Sequence, residues 1–446
     1  MLNVKVLFLD TTIHKKDATG ITISNLFSEW PKSNLYMIGD LNSVNKSNRE
    51  GYINTYLLSN KEKIHLFPLS FFQFKIKKTK KKYKAKQIEF TNHKKIQKQT
   101  NNSIRQQFNK LKMLSLKLFN NFFTGLGLNY LFLRVKISND LDKWIEEIDP
   151  DFFYALLSTR HSILFANQMA VKYNKPLIIH IMDDWPFLIG KDSCFSKYWN
   201  SKINNEFENL LKIAHKKIAI SNSMAQEYKK RYGGNWDYFH NPITYNSWFE
   251  IQMKNRSLNK SKIKIGYFGR IGKANKQSVE IFIDVIGKFE FLLPVEFHIY
   301  TKDEISIKNY NNIFIHSFID SLLIPAEMSG YNFLLLPISF LSNDKIFAKY
   351  SIPTKLSEYL ISGVPIIVLA PRDIALTEFV KINNCGLCIN SLNMEEIFNQ
   401  LYCFFNDEKR QNYYTENGKI IALNKFEINI VSKRFNKIFE SSFLLK

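Results

Sequence analysis

Cysteine is scarce. Cys194, Cys385, Cys388 and Cys403 are the only four in 446 residues, too few for a disulfide framework and in keeping with a reducing compartment. Cys385 and Cys388 form a lone C-x-x-C. A zinc site would need a second such pair, so they read as two small apolar residues entering a strand. Long apolar runs are missing too. No window approaches the ~18–20 apolar residues that a spanning helix needs. Met1–Asp10 is one strand long with charges following at once, unlike a secretory signal, so the cytoplasm is the expected location. Acid is under-represented: Lys+Arg 62 against Asp+Glu 40 gives +22, an excess that bears on partners and little on fold. At 45% hydrophobic and 23% charged, the chain is neither disordered nor collagen-like. Its length suits two or three domains.

Several familiar motifs fail. Gly266, Gly269 and Gly272 are spaced G-x-x-G-x-x-G, which is not the dinucleotide fingerprint G-x-G-x-x-G. A Walker A loop fails as well, because Ala274 stands where Ser or Thr would hold magnesium. No G-x-S-x-G elbow surrounds Ser221, which reads as a helix cap. Asp183-Asp184 lacks a D-x-D spacing, so a metal pair is not favoured there. No metal or other cofactor is expected.

What is present is alternation. Short apolar runs at Val4–Leu9, Asn34–Ile38, Asp149–Leu156, Pro176–Ile181 and Lys217–Ile220 predict strands. Between and after them, Ile21–Trp30, His161–Tyr173, Asn204–Ala214 and Ser223–Tyr232 read as helices. The pattern restarts at Ile263–Phe268, a glycine turn, a helix Ser278–Phe289 and the strand Val295–Tyr300. Strands at Asn332–Leu336, Pro365–Val368 and Gly386–Ile389 and a helix at Ile428–Phe439 complete it. This is the signature of βαβ units. The expected fold class is α/β, with two Rossmann-like doubly wound domains facing a cleft. Residues 1–245 would form the first domain, 246–261 a linker and 262–425 the second, with 426–446 a final helix that can cross back to the first.

One stretch breaks the alternation. Lys75–Lys117 holds 15 Lys/Arg against the single acid Glu89, or +14 of the +22. It lies within an insert at about 72–120. One reading is a solvated basic loop. The other is a surface that docks on anionic lipid, where each Lys or Arg contributes about 1 kcal/mol. No RNA-binding motif accompanies the charge, and no nucleic-acid partner is expected.

The segment Ile352–Pro365 reads IPTKLSEYLISGVP. Thr354 is a good N-cap residue. Lys355 falls in the first turn, unfavourable for a cation by the dipole argument, and Glu358 follows three residues later on the same face. The pair reads either as an i,i+3 surface ion pair or as a division of labour on a nucleotide, with lysine toward phosphate and carboxylate toward ribose hydroxyls. Gly269, Arg270, Lys273 and Lys276, on a strand–turn–helix unit, would cradle a diphosphate.

These residues resemble a known family. PTKLSEYLISGVPIIV followed by EFVKINNCGLCI, and IGYFGRIGKANKQSVEIFIDVI before them, resemble the C-terminal domain of retaining GT-B glycosyltransferases, of the family 4 or group 1 type, that build bacterial surface polysaccharides. PLIIHIMDDWPF, IAISNSMAQEYKKRYG and FHNPIT resemble their N-terminal half. The resemblance spans about residues 1–40 and 140–440 and leaves out the basic insert. It implies a nucleotide-sugar donor held by Arg270 and Lys276 (Lys273 as fallback) and by Glu358 at the ribose. It also implies a glycan or lipid-linked acceptor on the N-terminal domain, where Gly20 faces acceptor or phosphate and His180 lies nearest the acceptor with Asp183 and Asp184 beside it. Two features depart from the pattern. Tyr350 stands where the first Glu of E-x7-E would touch the transferred sugar, and the glycine pair after the first strand is reduced to Gly20. The rivals are another GT-B enzyme such as an epimerase or phosphorylase, an inactive assembly partner, and a basic nucleic-acid-binding protein.

Overall fold

A computed structural model describes residues 4–15, 17–59, 61–64, 122, 124–131, 134–189, 193–246, 248, 262–290, 292, 294–305, 310–317, 319–320 and 322–443. The basic stretch 75–117 and most of the expected linker 246–261 lie outside the described residues.

The first half carries β1 (Val6–Leu9), β2 (Leu35–Gly39), β3 (Thr55–Leu57), β4 (Lys63–Ile64), β5 (Arg134–Val135), β6 (Phe152–Leu156), β7 (Leu177–Ile181), β8 (Lys216–Ala219) and β9 (Asp237–Tyr238). Seven of them form one sheet in the order β3-β2-β1-β6-β7-β8-β9, parallel throughout. The second half carries β10 (Ile263–Phe268), β11 (Val295–Tyr300), β12 (Ile313–His316), β13 (Phe333–Pro337), β14 (Ile366–Leu369) and β15 (Leu387–Ile389). These form a second parallel sheet, β12-β11-β10-β13-β14-β15. Strands such as VLFL, LIIHI and FLLLP are buried along their whole length, because helices cover both faces of a parallel sheet. Two Rossmann-like domains result.

The halves are tied by two crossings. Ile243 and Glu427 pair as a parallel bridge, with Ile243 N–H on Phe426 O at 2.8 Å and Ile428 N–H on Ile243 O at 2.9 Å. The last helix, Ile428–Phe443, then packs on the first domain. Phe435 meets Phe27 edge-on at 5.0 Å, Phe439 meets Trp30 at 4.7 Å, and Trp30 Nε1 donates to Asn436 Oδ1 at 3.0 Å.

Some boundaries differ from expectation. The helix read from Asn204 starts at Ser196, because Trp199 and Ile203 extend the buried stripe of Phe207, Leu210 and Leu211 toward the N-terminus. Gly20 was expected in a loop, but it lies in the first turn of a helix Ala18–Leu26, whose N-cap Asp17 accepts from Gly20 N–H. Thr354 occupies the N-cap position of Lys355–Ile361, but its side chain makes no capping bond. Cys385 and Cys388 are free thiols, Cys385 buried.

Candidate functional site

The C-terminal ends of β10 and β11 build a preformed turn. Tyr267 Oη donates to Arg270 O at 2.6 Å, and Asn275 Nδ2 donates to both Tyr267 Oη (2.7 Å) and Arg270 O (2.9 Å). Asn275 Oδ1 accepts from Gly272 N–H at 3.0 Å, and Asp303 from Ile271 N–H at 2.7 Å. A Cβ on Gly269 would meet Tyr267 Oη at 2.9 Å, while one on Gly272 would meet nothing within 4 Å. The turn is therefore rigid where it touches the sheet and open at Gly272, where a ligand can approach backbone. Arg270 and Lys273 stand exposed on it. Arg270 reaches Asp303 at 3.3 Å with 80% of its side chain accessible. Its charge, with the Ile271 N–H bond to Asp303, outweighs partial burial and holds the Asp303 carboxyl below its usual range. Lys276 opens the helix Lys276–Phe289, also exposed, 3.7 Å from Glu280 one turn on.

The helix Lys355–Ile361 abuts this turn. Tyr359 Oη accepts from Phe268 N–H at 3.0 Å at the end of β10. Lys355 Nζ and Glu358 Oε2 are 2.8 Å apart, with 22% and 18% of their side chains accessible. The helical period thus brings the pair together, half-buried beside the glycine turn.

Across the cleft the three N-terminal candidates fare differently. His180, in β7, has no accessible surface. Its Nδ1 is 2.6 Å from Tyr154 Oη, and burial pushes its pKa down to about 3, so the ring is neutral. Its Nε2 is buried with no hydrogen-bond partner, and no atom of the ring reaches the surface in this conformation. It sits under the strand end. Asp184 is buried as well, its Oδ1 taken by Tyr228 Oη (3.0 Å) and Arg231 Nη1 (2.9 Å). Asp183 is exposed. It lines a cavity of about 330 Å3 with Thr19, Ser158, Met182 and Trp185, and desolvation by the protein around it raises its carboxyl pKa, the Ser351 hydrogen bond partly opposing. Of the three, only Asp183 offers an accessible carboxylate to the cleft, with Ser351 Oγ 3.4 Å from its Oδ1. Gly20 serves packing: a Cβ there would lie 2.3 Å from His14 O and 2.5 Å from His14 Nδ1.

Other residues at the interface went unread in the sequence. Ser351, His240, Asn241 and Arg231 join the halves around residues 349–354, and Asn275 and Tyr359 build and brace the glycine turn. The available signal was weak. A Tyr at the inner face of a helix needs a hydrogen-bond partner, but the sequence does not say which. Glu378 lies 3.5 Å from Ser223 across the interface. No group of three or more His, Cys, Asp or Glu among the described residues is arranged to hold a metal.

Residues 282–414 match the model of the glucosyltransferase 3-like C-terminal domain. The whole chain superposes on solved structures of sugar transferases. The Anabaena protein HepE in complex with UDP gives a TM-score of 0.62 at 13% identity, covering 98% of this chain and 100% of that one. Sucrose-phosphate synthase from Thermosynechococcus elongatus gives 0.59 at 10% identity, covering 99% and 100%. The chain has the GT-B fold. The lipopolysaccharide outer core galactosyltransferase WaaB superposes with a TM-score of 0.54 at 13% identity, covering 98% and 99%. No curated protein matches the sequence. Among the described residues of this GT-B chain, no helix is long and apolar enough to cross a membrane.

Proposed function

We propose that the protein moves a sugar from a nucleotide-sugar donor to a growing or lipid-linked surface glycan, with retention at the anomeric carbon. The observation that carries this reading is the Lys355–Glu358 pair packed against the glycine turn through Tyr359 and Phe268. When the bond from the anomeric carbon to the diphosphate breaks, negative charge grows on the leaving oxygen. Fixed cations and backbone N–H groups aimed at that oxygen stabilise it. Arg270, Lys273 or Lys276, and Lys355 supply the charge in this reading, so no metal is invoked. Glu358 accepts the ribose hydroxyls. The acceptor lies on the N-terminal side, with Asp183 orienting its hydroxyl and the departing phosphate taking the proton on the same face. No protein nucleophile is needed.

The solved structures suggest where to look for the donor. HepE is described in complexes with UDP and UDP-glucose, and WaaB as a galactosyltransferase. We therefore take a UDP-hexose as the first donor to test. The basic stretch 75–117 fits an anionic membrane surface, which would bring the enzyme to a lipid-linked acceptor. Thermal stability of the full chain against UDP, GDP, CDP and their sugars tests the reading. Stabilisation by one nucleotide class, followed by transfer of its sugar, is expected. No stabilisation by any of them overturns the donor assignment.

A further inference from the structure

The segment Lys349–Thr354 belongs to the C-terminal half, yet the N-terminal half holds it. Ser221 Oγ donates to Tyr350 O. Ser351 Oγ donates to Met182 O at 2.9 Å and lies 3.4 Å from Asp183 Oδ1. His240 Nε2 is 3.2 Å from Ile352 O, and Asn241 Nδ2 lies 3.5 Å from Thr354 O. The Tyr350 ring sits under the Arg231 guanidinium at 5.3 Å, and Arg231 is itself fixed by Glu227 and Asp184. Buried backbone carbonyls must find donors. In this irregular stretch the donors come from the end of β8 and from the crossing at 240–241, while Ser351 itself donates to the end of β7. The next residues in the chain are Lys355 and Glu358. The start of the donor helix is thereby registered against the strand end that carries Asp183.

We propose that Ser221, Tyr350 and Ser351 are positioning residues for glycosyl transfer, setting the donor helix at working distance from the acceptor side. This rests on the reading under Proposed function. Tyr350 then takes a role different from the carboxylate expected at its place, since its ring faces the other domain. Ser221 serves twice, because its oxygen also accepts from Met224 N–H as a helix cap. Ser351 caps no helix, but it also touches Asp183 Oδ1, so Tyr350→Ala is read beside it. If these contacts align the two substrates, their loss should slow transfer and leave donor binding alone, because the nucleotide is gripped by C-terminal residues. Ångström-scale misalignment alone is worth up to about a hundredfold in rate.

Two readouts on the full chain test this, with Ser351→Ala, Tyr350→Ala and the hydroxyl-retaining Ser351→Thr. The first is steady-state transfer from the UDP-sugar that stabilises the wild type. Ser351→Ala should lower kcat about tenfold or more while the donor KM stays within about twofold, and Ser351→Thr should recover most of the rate. The second is deuterium uptake at the amides of 354–361 without ligand, expected to be faster in both Ala variants. Unchanged uptake refutes the clamp whether or not transfer is detected. Faster uptake with unchanged kcat refutes the positioning role. A wild type that binds no nucleotide while the uptake difference persists locates the failure in the function reading, and the catalytic half of the proposal falls with it.

Discussion

Replacing Glu358 by Gln separates the two readings of the Lys355–Glu358 pair. As a structural element the pair is modest. An i,i+3 contact is worth about 0.2–0.5 kcal/mol, and an acid in the first helical turn about 0.3–1 kcal/mol. With roughly a fifth of each side chain accessible, the expected loss of stability is under about 1.5 kcal/mol. As a ribose ligand Glu358 counts for more. A hydrogen bond to a charged group contributes about 1.5–3 kcal/mol, so nucleotide affinity should fall by roughly 10–150-fold. At a UDP concentration 100 times the wild-type Kd, the wild type gains about 2.7 kcal/mol. A variant binding ten times more weakly gains only about 1.4 kcal/mol. Lys355→Gln provides the opposite sign. It removes a cation from the positive end of the helix, so the free protein should keep its stability or gain a few tenths of a kcal/mol while losing phosphate affinity. Calorimetric titration with UDP, beside urea denaturation of the free proteins, reads both quantities. Equal UDP affinity in wild type and Glu358→Gln would refute the argument and leave an ordinary ion pair.

Asp183 and Asp184 should part company. Asp183→Asn is expected to lower kcat with little change in the denaturation midpoint. Asp184→Asn removes the buried charge that Tyr228 and Arg231 share, with Arg231 keeping Glu227, and should cost about 1–3 kcal/mol, so matched losses in the two would refute their separate roles. Acid should destabilise the fold. Burial lowers the pKa of His161 to about 4, of His180 to about 3 and of His240 to about 4. The unfolded chain therefore binds more protons below about pH 6.5, and stability is lost as pH falls from there toward 4. Each histidine contributes about 1.36 kcal/mol per pH unit. Asp10, raised to about 7 by burial and by Asp40, opposes one of the three. Urea midpoints at pH 5 and 6.5 read the slope, which His180→Gln should reduce by one histidine's share. Deleting 75–117 should abolish sedimentation with phosphatidylserine vesicles at low salt, and binding that survives the deletion would clear the insert of that role.

Much of the fold was legible because its strands are short apolar runs bounded by polar turns. Ile263–Phe268 and Val295–Tyr300 read at their observed limits. Helix starts were harder. Asp17, three residues before Gly20, is the stronger signal there, yet glycine suggested a loop. The burial of His180 was not legible, for a physical reason. In LIIHI both faces of the strand are buried, so a period of two cannot separate a residue facing the core from one facing the cleft. The donor helix was legible because helical spacing alone brings Lys355 to Glu358. The contacts that seat that helix were not. Ser221 reaches Tyr350 across 129 positions and Ser351 reaches Met182 across 169, and no local pattern encodes such pairs.

The two halves differ in how much of their work is done in advance. The donor turn is locked by its own residues: Tyr267, Asn275 and Asp303 fix residues 270–272 with no help from the other domain. Arg270 and Lys273 already stand exposed on it, so little reorganisation opposes nucleotide binding, and affinity should be a property of the C-terminal half. Nothing comparable fixes the distance from the donor to Asp183. That distance depends on the contacts around residues 350–354 and on the paired crossings at Ile243 and Glu427. A substitution in the turn should therefore show first in binding. One at Ser221, Ser351 or Tyr350 should show first in rate. Charge follows the same division: Arg231 is neutralised within the N-terminal half by Glu227 and Asp184, while Arg270 and Lys273 stand exposed on the turn, where the proposed reaction needs them for a leaving diphosphate.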